Sequence, residues 1–202
     1  MGLITKSKPC GFGGLLAAQP LAFPLSHRRD AACALADACA DSDANAFISA
    51  ATRLLGVGGG LTPSGDDFVG GALFARRFVT GGSAASLRWQ AGAIEILASA
   101  TMRTHAISYA LLSDLARGES YAPLHALASA LLQCDADAAH SAMRDLVTIG
   151  HSSGWDMLAG FIAGATGKTQ LVGHARLIGH ARLIGHARLI GRAQLIGHNQ
   201  LP

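Results

Sequence analysis

Two short stretches of this chain carry the residue types and spacing from which chemistry could be built. Ser64-Gly65-Asp66-Asp67-Phe68-Val69-Gly70-Gly71 and Ser153-Gly154-Trp155-Asp156-Met157-Leu158-Ala159-Gly160 share the pattern S-G-x-D-x-x-x-G. A turn rich in glycine and hydroxyl residues precedes each: Gly58-Gly59-Gly60-Leu61-Thr62-Pro63 before the first, Gly150-His151-Ser152 before the second. Each runs on into a segment of small apolar residues, the form of a helix start whose backbone N–H groups face a guest. The positive end of the helix dipole and those N–H groups suit a carboxylate or phosphate. Glycines 58–60 let the backbone approach a ligand without Cβ clashes, and Thr62, Ser64, Ser152 and Ser153 add hydroxyl donors. Two such starts predict one composite anion site, with Asp67 and Asp156 at equivalent positions. Asp66, Asp67 and Asp156 would cap their own helices, orient an amide or amine of a substrate, or hold a divalent cation such as Mg2+. His151 would carry a proton or donate to phosphate. Thr101-Met102-Arg103-Thr104-His105 is a polar break between apolar runs, and Arg103 could grip an oxyanion in bidentate fashion.

Other motifs fail on their own requirements. Gly150-His151-Ser152-Ser153-Gly154 fits the G-x-S-x-G elbow of serine hydrolases. That elbow needs an acid and a histidine downstream, yet no acid follows Asp156 and the later histidines lie only in the terminal repeats. Gly167-Lys168-Thr169 ends like a P-loop, but Ile162 stands where the first glycine is required.

The elements that must position these residues read as helices. Half of the 202 residues are hydrophobic and 5% aromatic, and alanine and glycine dominate the apolar set. That composition favours close-packed helices over strands. Capping residues and periodicity predict helices from Ser26 to near Ala40, from Asp41 or Ser42 through Leu55 to a stop at Gly56, and from Ser64 or Asp66 to Gly81-Gly82. Further helices are expected from Ser83 to near Thr101, from His105 to Arg117, from Pro123 through Leu131, from Asp135 or Asp137 through Ile149, and from Ser153 onward. Leu146-Val147-Thr148-Ile149 is the best strand candidate, between helical flanks. The chain is thus expected to be mainly α. A single helical domain over 26–167 would place glycine-rich turns at two helix N-termini, after an irregular segment over 1–25. Gly-His-Ala-Arg-Leu-Ile occurs three times in succession at 173–190, followed by two degenerate copies. A six-residue period fits neither helix nor strand, so 168–202 is expected to be a low-complexity, disordered tail.

The net charge of +3 comes from that tail. Lys168, Arg176, Arg182, Arg188 and Arg192 lie there with no acid, leaving 11 basic against 13 acidic residues elsewhere. No basic face for nucleic acid is expected. The uncharged stretch from Pro9 to Ser26 is broken by Pro20, Pro24 and three glycines, so no membrane span is expected either. Four scattered cysteines without C-x-x-C spacing fit thiols in a reducing compartment and offer no metal site. The expected location is the cytoplasm.

The two motifs together carry a resemblance. Gly56-Val57-Gly58-Gly59-Gly60-Leu61-Thr62-Pro63-Ser64-Gly65-Asp66-Asp67-Phe68 resembles the G-L-G-x-G-L-T-P-S-G-D-D-F signature of a bacterial family that includes the AllH-type subunit of oxamate carbamoyltransferase. Ile149-Gly150-His151-Ser152-Ser153-Gly154-Trp155-Asp156 resembles its second signature, G-H-S/T-S-G-x-D, and the resemblance spans roughly Ser26 to Ala165. It implies an assembly with partner subunits that interconverts carbamoyl phosphate plus oxamate with oxalurate plus phosphate in allantoin breakdown. It also implies a sizeable region before the helical part, where this chain has residues 1–26. A truncated or inactive fragment therefore stands beside a catalytic subunit and a non-catalytic, metabolite-binding scaffold as an expectation.

Overall fold

The computed structural model describes residues 8–81 and 84–170. The repeats over 173–202 and Ser83 as a helix start lie outside the described residues.

Among the described residues the fold is helical throughout, without strands. The elements are α1 (Gly13–Leu16), a 3-10 turn (Leu25–Arg28), α2 (Arg29–Ala40), α3 (Ala44–Thr52), α4 (Ser64–Thr80), α5 (Ala84–Ala100), α6 (Ala106–Arg117), α7 (Ala122–Gln133), α8 (Ala136–Leu146) and α9 (Ser153–Thr166). Several ends follow their residues. Gly118 and Gly167 close α6 and α9 with left-handed φ of 84° and 67°. Pro123 sits in the first turn of α7, and the Asp135 carboxylate accepts from the Ala138 N–H at the start of α8.

Other ends differ from expectation. The first cap falls to Arg28, because Leu25–Arg28 tightens into a 3-10 turn ahead of α2, and Ser26 is left outside. The chain passes through φ 55° at Ser42 before Asp43, so Asp43 rather than Asp41 or Ser42 caps α3, accepting from Asn45 and Ala46 N–H at 2.9 and 3.0 Å. α3 ends at Thr52, and 53–56 form a turn. Leu146 closes α8 and residues 147–149 are turn, so the strand candidate does not form.

The centre of the molecule is the pair α4 and α9, the most extensive helix contact among the described residues. The two helices run in the same direction, since Phe68 meets Gly160 and Ala72 meets Gly164 farther along. They meet through glycine. A Cβ on Gly71 would collide with the Met157 carbonyl oxygen, and one on Gly160 with that of Phe68. Phe68 and Met157 hold equivalent places in the repeated motif, as do Gly71 and Gly160, so the crossing has a local twofold character. α6 packs on α4, α2 on α9, and α7 on α8, with α3 between α2 and α5.

The glycine-rich early segment belongs to this core. Phe12, Leu15 and Leu16 are buried, and the Phe12 ring lies 4.9 Å from that of Phe68. Burying one such phenylalanine stabilises the fold by about 2–3 kcal/mol. No helix among the described residues is long and apolar enough to cross a membrane.

Candidate functional site

Each motif begins where a preceding helix ends and the chain doubles back. Gly58 takes φ 123°, and a side chain there would press on the Ser64 backbone nitrogen. Gly65 N–H donates to Val57 C=O at 2.8 Å, and Gly154 N–H donates to Ile149 C=O at 3.0 Å. A Cβ on Gly65 would meet the Leu54 carbonyl, and one on Gly154 the Leu146 carbonyl. Both helix starts are therefore pinned, glycine first, against the end of the helix before them. This uses first-turn amides that the sequence suggested would be open. Ser64 and Ser153 keep N–H groups without a backbone partner.

The two starts come together. Thr62 Oγ1 and Ser153 Oγ lie 3.0 Å apart, and Ser64 Oγ and Ser152 Oγ 3.4 Å apart. The carboxyls are crossed over in the same manner. Asp67 has the Ser153 and Thr62 hydroxyls beside it, whereas Asp156 has those of Ser64 and Ser152. Each aspartate thus faces hydroxyls that include the motif serine of the other helix.

Burial dominates the electrostatics. Asp67 is 4% exposed and Asp156 is fully buried. Desolvation pushes Asp67 up to about 7; the Ser153 hydroxyl opposes this and the nearby Asp156 charge adds to it. Desolvation likewise pushes Asp156 up to about 7, against the Phe12 N–H and the hydroxyls of Ser64 and Ser152. Phe12 N–H donates to Asp156 Oδ1 at 2.5 Å, and a Cβ on Gly11 would collide with that carboxylate. Asp67 Oδ2 and Asp156 Oδ2 are both buried without a hydrogen-bond partner. Each of the two carboxyls thus keeps one buried oxygen without a partner, and burial pushes both well above the usual carboxylate range.

The other site candidates separate. Asp66 turns away and closes a polar joint: Oδ1 accepts from Gly56 N–H at 2.7 Å, and Oδ2 from the Thr104 hydroxyl and from Ser108 Oγ at 2.7 Å. The polar break at 101–105 therefore does lie beside the first turn, but through Thr104. The Arg103 side chain is exposed and donates to Ser99 Oγ at 3.1 Å. Gly59 and Gly60 form the open outer part of the turn, with no atom near an added Cβ. His151 is exposed, and its carbonyl accepts from the Cys10 thiol at 3.1 Å. Burial and the Asp156 charge push that thiol up. Among the described residues no three His, Cys, Asp or Glu side chains group as metal ligands. A cation between Asp67 and Asp156 would have two carboxylates and hydroxyls as its donors.

Sequence reasoning overlooked Phe12, Thr104 and Ser108. Gly11-Phe12-Gly13-Gly14 does carry a visible signal, glycines flanking one aromatic residue. Thr104 stood in a stretch singled out for its arginine.

A model of the family described as oxamate carbamoyltransferase subunit AllH matches residues 54–165, more than half of the chain and both motifs. No curated protein and no solved structure matches the chain. The chain belongs to the oxamate carbamoyltransferase subunit AllH family.

Proposed function

We propose, from that membership, that this chain is a subunit of a cytoplasmic carbamoyltransferase assembly whose paired turns hold a small anion bearing an NH2 group, such as carbamoyl phosphate or oxamate. The observation that carries the reading is the crossed arrangement of Asp67 with Ser153 and Asp156 with Ser64, two buried carboxyls pushed up to about 7. In the transfer, the carbamoyl carbon forms a bond to the oxamate nitrogen, the bond to the phosphate oxygen breaks, and the nitrogen gives up one proton. A carboxylate near neutral pKa accepts that proton, and its protonated partner donates to an oxyanion. The hydroxyls of Thr62, Ser64, Ser152 and Ser153 and the Ser64 and Ser153 N–H groups would align the reactants. Asp66 serves here as a positioning residue, holding the first turn through Gly56 and Thr104. His151 and Arg103, both exposed, would act at the rim, where partner subunits close over the site.

A second reading has its own support. The first-turn amides of Gly65 and Gly154 are already bonded and the carboxyls are nearly sealed, which suits a scaffold subunit whose chemistry lies on a partner chain. Turnover of the reconstituted assembly separates the two. Asp67→Asn and Asp156→Asn should each lower kcat about 10²–10⁴-fold if the carboxyls transfer the proton. Full turnover with both changed would remove the catalytic reading. Calorimetric titration with carbamoyl phosphate, oxamate and phosphate, with and without Mg2+, reports binding directly. A folded protein silent to all three at millimolar concentration would remove the anion site itself.

A further inference from the structure

Helix α5 carries an apolar face on each of two opposite sides. Trp89, Ala93, Ile96 and Ala100 are buried against the body of the molecule, and a Cβ on Gly92 would meet Ile48 of α3. A rotation of 100° per residue sets Leu87, Ala91, Ile94 and Ala98 within about 60° of one another on the other side. All four are exposed, Leu87 by 70% and Ile94 by 69%. Just past the helix end Met102 extends the same apolar surface and is 91% exposed. Periodicity alone would take this stripe for the buried side of α5, since leucine and isoleucine recur seven residues apart. The fold instead leaves it in water, where a contiguous apolar face marks a surface that another one covers.

The residues along the stripe define that other surface. Ala91 and Ala98 alternate with Leu87 and Ile94, small against large, as in the a and d positions of a two-helix seam. Laid antiparallel about a twofold axis, two copies would set Ala91 against Ile94 and Leu87 against Ala98, each contact occurring twice. The flank selects the direction. Arg88 and Glu95 are exposed, lie on one flank a heptad apart, and form no ion pair among the described residues. In the antiparallel register Arg88 of one copy faces Glu95 of the other, twice over. A parallel pair would turn both charges toward the opposite flank, where Gln90 and Leu97 lie, and leave them unmatched.

We propose that α5 is the interface of a symmetric dimer, in which its outward face packs antiparallel on the same face of a second copy of this chain. The interface does not depend on the function of the paired turns. A 17-residue helix is about 25 Å long, so this seam is small beside a standard interface and should form reversibly with concentration. Sedimentation equilibrium of the full chain at low ionic strength tests it, with circular dichroism to verify that each variant is folded. The native chain is expected to be dimeric at about 100 μM and to dissociate on dilution. Ile94→Glu should weaken the dimer at least about thirtyfold, because two isoleucines lose their burial. Arg88→Glu and Glu95→Arg should each weaken it about tenfold by setting like charges together, and the double exchange should restore it. A native chain that stays monomeric at about 100 μM would overturn the proposal, the face then being open to a different protein or to none. So would a dimer that Ile94→Glu leaves intact, or a double charge exchange that fails to restore association.

Discussion

The two turn–helix units, α3 into α4 and α8 into α9, share a plan and differ in what they lean on. In both, a serine opens the helix, a glycine seats it under a carbonyl, an aspartate follows three residues after the serine, and a second glycine meets the opposite helix. The third position of the motif divides them. Asp66 turns outward and ties the first unit by hydrogen bonds to Gly56, Thr104 and Ser108. Trp155 packs its ring against Gly13, and its Nε1 is buried without a partner. One unit is anchored by polar bonds to α6 and its preceding turn, the other by apolar contact with the early segment that also supplies Phe12 N–H to Asp156. The shared positions build the paired carboxyls, and the divergent position decides which neighbour holds each half in place.

The largest effect should come from the divergent position. Trp155→Ala would cost about 3–5 kcal/mol, whereas Asp66→Ala, leaving donors without their acceptor, would cost about 2 kcal/mol. Denaturant unfolding measures both, and equal losses would show that the anchors are not different in kind. Next come the shared glycines. Gly71→Ala and Gly160→Ala each place a methyl against a backbone carbonyl and should cost about 3 kcal/mol, a fall in Tm of about 6–12 °C. A silent variant at either site would break the twofold description of the crossing.

The carboxyls give an effect that depends on pH. Both sit at about 7 in the folded chain, above the ordinary value of 3.8. Between those values the unfolded chain binds fewer protons, so their contribution to stability is full below about pH 4 and is lost as pH rises through about 7. Melting curves from pH 4 to 8 should show that slope, and Asp67→Asn and Asp156→Asn should each flatten part of it. If only one variant does so, the two carboxyls are not equivalent. The smallest effects belong to the exposed rim: Gly59→Ala and Arg103→Ala should shift stability by less than about 0.5 kcal/mol. A large loss in Gly59→Ala would mean that the outer turn is packed rather than open.

The sequence disclosed these features unevenly. The helices and the paired motifs were legible because caps, αL glycines and the S-G-x-D-x-x-x-G repeat leave marks in the residues themselves. The last glycine of that repeat was present in the pattern, but its purpose, close approach of α4 to α9, depends on a partner distant in the chain. Phe12 could not be read from periodicity, since a single turn of helix has none. Asp66 and Asp67 are adjacent and chemically identical. Only the helix's 100° rotation per residue sends one to the paired site and the other to Thr104.

The glycine crossing also sets the mechanics of the site. Gly71 and Gly160 each lie seven residues after the serine that opens their helix, about 10 Å along the axis. Main chain against main chain leaves little room for sliding, so any relative motion of α4 and α9 would be a rocking about this crossing, with the serines at the ends of two lever arms. A relative rocking of about 10° would carry the arm tips apart by roughly 2 Å, enough to part Thr62 from Ser153 and uncover both carboxyls. A motion barely visible at the pivot would thus amount to an opened mouth.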